Sequence, residues 1–161
     1  SDPFYPTLFS DPFFHPNPCA NAIECPASLF GHTAMPNLFL TLAGINGFLA
    51  VGIGAFGAHA LRDRLTPELA STFQTGVQYH MFHTLALFGV GLLLLAMPQA
   101  TLPRISGYLF TVGIALFSGS LYVLAISGIR WLGAITPLGG LCFLAAWGCL
   151  AWFAATSQLQ P

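Results

Sequence analysis

His59, His80 and His83 are the residues of this 161-residue chain best suited to chemistry. Neutral imidazoles bind metal ions, and two helices presenting them at one depth can ligate a haem from both faces. His80 and His83 are three positions apart, so on a helix they share a face. Around them stand Arg62, Asp63, Arg64 and Glu68, four of the six charged residues that follow residue 34. The ligand set is short, however. No Cys-x-x-Cys-His accompanies the histidines, and no further cysteine or carboxylate is placed beside them by the pattern. No cofactor is therefore predicted, and His59, His80 and His83 stand only as metal or haem candidates. A competing reading makes His59, Arg62, Asp63, Arg64, Glu68, Gln78, His80 and His83 a hydrogen-bonded cap at the membrane interface. In it Asp63 and Glu68 pair with the arginines, and the cluster can hold a bound lipid by its anionic headgroup.

Nucleophilic catalysis finds little support. Ser118 and Ser120 fall deep in an apolar stretch with no acid to orient a histidine base. No phosphate loop or carboxylate pair is present. The chain is not expected to be an enzyme.

The elements that carry these residues follow from composition. Charged residues are 6% of the chain and hydrophobic ones 55%, where a soluble domain carries about 25% charge. Mean hydropathy is +0.74, and every basic residue is an arginine. A surface so poor in charge must face lipid. The net charge of -1 leaves no basic stripe for nucleic acid. Apolar runs at about 38–58, 79–97, 105–128 and 131–156 predict an all-α membrane protein of four transmembrane helices in two antiparallel hairpins. Thr66-Pro67-Glu68 has the form of a helix start, with an N-cap, a first-position proline and a first-turn acid.

Small residues mark where helices can approach: Ala50, Gly54 and Ala58 on the first span, and Gly107, Ala115 and Gly119 on the third. Asn46 and Thr136 are the polar residues expected within the hydrocarbon. Pro137 with Gly139-Gly140 predicts a break in the fourth span. Cys142 and Cys149, on one face of that span, read as packing residues. Arg62, Arg64 and Arg130 fall on one side of the membrane and Arg104 on the other. This predicts termini outside (periplasmic) and the arginine loop in the cytoplasm.

Residues 1–34 read differently, as an irregular extension to a transmembrane domain covering 35–161. They hold six prolines and six aromatics, a composition that forbids a regular helix. Aromatic side chains need a surface to rest on, and the expected surface is a neighbouring membrane subunit. Cys19 and Cys25 could pair there, but their spacing does not demand it.

Four motifs carry a resemblance: Gly54-Ala-Phe-Gly-Ala-His59-Ala-Leu, Tyr79-His80-Met-Phe-His83-Thr-Leu-Ala, Phe117-Ser-Gly-Ser-Leu-Tyr122 and Ile135-Thr-Pro-Leu-Gly-Gly140. From about Met35 to Ala155 the chain resembles the small four-span family catalogued as domain of unknown function 423, which is bacterial and has a small transmembrane relative in animals. The resemblance implies a membrane fold, here of the bacterial inner membrane, and no established reaction. The function expected from the residues is an accessory or structural subunit of a larger membrane complex, which could be of respiratory or photosynthetic type. The alternatives are a small oligomeric transporter or channel, or a metal- or haem-binding protein using the histidines.

Overall fold

The computed structural model describes residues 34–157. The expectations for residues 1–33, including a bond between Cys19 and Cys25, lie outside the described residues. Four stretches are long and apolar enough to cross a membrane: Pro36–His59, Pro67–Ala96, Thr101–Ser127 and Arg130–Thr156. Among the described residues there is no strand.

The first span is one helix, Ala34–His59. The second is a single 30-residue helix, Pro67–Ala96, about 45 Å long at 1.5 Å per residue. It starts well before its continuous apolar run because Thr66 caps it, accepting from Leu69 N at 3.4 Å, and Pro67 opens the first turn. The third span is interrupted. α-Helix Thr101–Gly113 passes through a π turn, Ile114–Ser118, into α-helix Gly119–Ser127, which ends on Gly128 at φ 71°. That left-handed stop favours glycine.

The fourth span differs from the expected run out of Trp131 with a kink at Pro137. A 3-10 turn, Arg130–Ala134, precedes a fresh helix, Thr136–Thr156, and Pro137 lies in its first turn. A proline there costs no hydrogen bond, so the break falls before it.

The central pair is the second and third spans, with 39% of their apolar windows buried against 17% for the first and fourth. The first span packs mainly on the second, and the fourth on the third. Two apolar clusters result. Phe39, Leu87, Leu94, Phe110, Ile114 and Phe143 belong to the larger. Leu61, Phe73 and Ala125 form the smaller, towards the arginine loop. Between them along the central spans lie the buried polar residues His80, His83, Thr84, Ser118 and Ser120.

The predicted small-residue rows are used only in part. Ala50 is buried, Gly54 lies against Val77, and Gly107 admits the Phe39 ring. Ala58 and Ala115 are exposed, and Gly119 has open space where a Cβ would stand. The π turn is the reason on the third span: its extra residue rotates a strict four-residue row out of the interface. The closest approach to a neighbouring backbone is instead at Gly139, where a Cβ would run into the backbone nitrogen and Cα of Phe117 in the π turn.

Candidate functional site in the middle of the bundle

The structure does not gather the three histidines. His59 ends the first span and is exposed. His80 lies thirteen residues inside the second helix, ~20 Å from its start. Its partner on the first span is Asn46, the same number of residues back from His59. His80 therefore belongs to the membrane interior, and so does His83, nearly one turn farther from the loop. Among the described residues no three His, Cys, Asp or Glu side chains could jointly hold a metal ion. The interface cap divides likewise. Arg62, Asp63, Arg64 and Glu68 are exposed at the arginine-loop end, whereas Gln78 is exposed along the second helix, two residues before His80. Among the described residues neither Asp63 nor Glu68 pairs with an arginine. Exposed ion pairs are worth only about 0–1 kcal/mol, too little to hold such side chains together.

His80 joins three spans. Asn46 Nδ2 donates to Leu42 O at 2.8 Å, and a carbonyl can only accept, so Asn46 Oδ1 faces His80 Nε2 at 3.1 Å. Nε2 must then carry the proton, which leaves Nδ1 to accept from the Tyr122 hydroxyl at 3.1 Å. Tyr122, His80, Asn46 and Leu42 thus form one directed chain of hydrogen bonds, satisfied by neutral groups alone. Such a chain suits an environment where a lone polar group is costly.

His83 is held differently. Nδ1 donates to Tyr79 O at 2.8 Å, and the ring lies flat on Phe143, centroids 3.5 Å apart and planes 6° from parallel. Phe143 can stand there because Gly113 has no Cβ; one would approach its ring to 2.5 Å. With Nδ1 turned back to its own helix, Nε2 points away from it and has no partner among the described residues. Nor is Nε2 one of the sealed unpartnered atoms, which are Thr84 Oγ1, Arg104 Nε and Ser118 Oγ.

Thr136, half-buried, bonds Ser120 Oγ at 2.8 Å, and Ser120 donates to Phe117 O at 2.9 Å. The fourth helix is thereby tied to the π turn. Cys142 and Cys149 are free and half-buried.

Sequence reasoning passed over Tyr122 as the partner of His80, and Phe143 as the support of His83. A signal existed instead for Asn46, the other partner of His80. Asn46 and His80 are equally far from the loop that joins their helices, which sets them at one depth.

The family described as "Protein of unknown function (DUF423)" matches residues 53–140. A relative from Bacillus subtilis, UPF0382 membrane protein YwdK, is 47% identical over 110 residues, covering 68% of this chain and 89% of its own. The chain belongs to this family. It is also similar to a UPF0382 membrane protein of Haemophilus influenzae, 42% identical over 118 residues, with 73% of this chain and 94% of that protein covered. The UPF0382 inner membrane protein YgdD of Escherichia coli is 41% identical over 117 residues, at 69% and 84% coverage. No solved structure matches. The chain is accordingly an integral membrane protein of an uncharacterised family. His80, His83, Tyr122 and Gly139 fall inside the family match, whereas Asn46 and Phe143 fall outside it.

Proposed function

We propose that the protein is a non-enzymatic accessory subunit that packs against a larger complex in the bacterial inner membrane. The observation that supports this best is the outer face of the first span. Gly44, Phe48 and Gly52 follow one another at four-residue spacing, all exposed, with Phe48 at 79%. Among the described residues neither glycine has any atom within 4 Å of its Cβ position. Glycine costs a helix about 1 kcal/mol relative to alanine, and among the described residues nothing offsets that. A neighbouring helix drawn up to the two notches, around the Phe48 knob, would offset it. Two further points favour a non-enzymatic role. Both ring nitrogens of His80 are engaged in structural bonds, and Ser120 is occupied with Phe117 and Thr136.

The test is native electrophoresis of gently solubilised membranes. The protein is expected to co-migrate with a larger assembly, and Gly52→Leu to release it at unchanged thermal stability, since the leucine meets no atom of the described residues. Migration of the wild type as a monomer or a closed homo-oligomer would sink the reading.

The proposed orientation places the termini outside and the Arg62/Arg64 loop in the cytoplasm, where Arg130 joins it and the anionic leaflet attracts all three. In a chain whose native cysteines are replaced by serine, Ala100→Cys is expected to react with a membrane-impermeant maleimide in intact cells. Asp63→Cys should react only after lysis. The reverse pattern would invert the topology.

A further inference from the structure

Beside His83 the second span, the π turn and the fourth span leave an open groove of about 500 Å³. Its floor is His83 on Phe143, and Tyr79, Phe117 and Trp147 stand around it. Its rim is lipid-facing: Leu141 is 61%, Leu144 71% and Trp147 50% exposed. His83 lies sixteen residues into a 30-residue helix, ~24 Å from one end and ~20 Å from the other. Anything that fills the groove therefore arrives sideways through hydrocarbon.

His83 gives the groove its hydrogen-bond acceptor. His83 Nδ1 carries the proton donated to Tyr79 O, so Nε2 offers a lone pair, and an acceptor left bare at this depth is costly. A phospholipid headgroup cannot reach the mid-plane, and an acyl chain brings no donor. A buried water typically makes about three hydrogen bonds, and the groove's side chains offer two polar groups at most, this nitrogen and the Tyr79 hydroxyl. What remains is an apolar molecule carrying a hydroxyl. The planar walls narrow it further, because the Tyr79 and Phe117 rings stack at 4.4 Å and 26° and present flat surface to a flat ring.

We infer that this groove binds a lipid-soluble phenol of the hydroquinone class, with its ring among Tyr79, Phe117 and Trp147 and its hydroxyl donating to His83 Nε2. A lone subunit and a subunit of a larger assembly would present the groove equally. Selectivity follows from the tautomer. At His83 only the reduced form can form a hydrogen bond, because the oxidised quinone has only acceptor oxygens and Nε2 carries no proton.

The test uses purified protein in detergent with Trp131 and Trp152 replaced by phenylalanine, so that Trp147 alone reports. A decyl-substituted benzohydroquinone is expected to quench Trp147 saturably, and its dimethyl ether to bind at least about tenfold more weakly, the worth of one buried hydrogen bond. His83→Phe keeps the stack on Phe143 and should make the two compounds bind alike. Gly140→Leu, which projects into the groove with its Cβ 3.8 Å from the Phe117 ring, should abolish saturable quenching of a folded protein. If His83→Phe does not fold, the ether comparison and Gly140→Leu decide alone. Non-saturable quenching, equal affinity for hydroquinone and ether, or undiminished binding by Gly140→Leu would each overturn the assignment.

Discussion

Alanine at Gly139 is expected to destabilise the protein by about 3 kcal/mol, the upper part of the range for overpacking a close-packed site. The new Cβ would meet backbone atoms of Phe117, and backbone cannot turn aside as a side chain can. The fourth helix would have to retreat from the π turn. Such a retreat lengthens the bond between Ser120 and Thr136 and disturbs Phe143, which supports His83. Gly140→Ala is the control, because its Cβ has an ordinary 3.8 Å contact with the Phe117 ring. That change should stay within about 1 kcal/mol of the wild type. Reversible unfolding in mixed micelles of mild detergent and dodecyl sulfate measures both. Equal midpoints for the two variants would mean that the fourth helix does not close on the π turn.

His80→Leu is expected to cost about 2 kcal/mol in the same assay. The leucine fills most of the space but leaves Asn46 Oδ1 and the Tyr122 hydroxyl without their partner. Orphaned buried groups in water-soluble proteins cost ~1–3 kcal/mol each. Interhelical bonds within membranes average nearer 0.6 kcal/mol, because the dispersed helices also find partners, and this sets the lower figure. A double-mutant cycle isolates the bond. Asn46→Leu with His80→Leu should cost about 1 kcal/mol less than the two single changes summed. Strict additivity would show that His80 and Asn46 do not interact. Tyr122→Phe should cost less than His80→Leu, since His80 Nδ1 then loses one donor while the bond to Asn46 survives.

Much of this protein is legible in one dimension. Length and polarity alone announce a membrane helix, because hydrocarbon leaves the backbone no other way to satisfy itself. Thr66 and Pro67 announced the helix start for equally local reasons. The histidines were misplaced by a particular assumption: that residues near a charged loop in sequence lie near it in depth. A helix rises ~1.5 Å per residue, so thirteen residues carry His80 from the loop into the interior. Counting from both ends of the loop would have matched it to Asn46. Tyr122 offers no such count, because it comes from the other hairpin.

The π turn was invisible for a different reason. Nothing in Ile114–Ser118 is a poor α-helix former in the way proline is, and the turn's value lies entirely in what it meets. It turns the Phe117 backbone towards Gly139 and shifts Ala115 and Gly119 away from the packing face. A row of small residues records that close approach is permitted; which helix uses it is a property of the assembled bundle.

By itself, then, the sequence determined four membrane-crossing helices, the loops that join them and the family, all set by composition, chain order or local capping. The tertiary structure alone decided which polar groups meet. It separated His59 from His80, joined His80 to Asn46 and Tyr122, and laid His83 on Phe143 with one nitrogen free. The physical reason is that hydrophobicity orders residues by depth, whereas a hydrogen bond or a ring stack depends on helix rotation and register, which only packing across three spans can set.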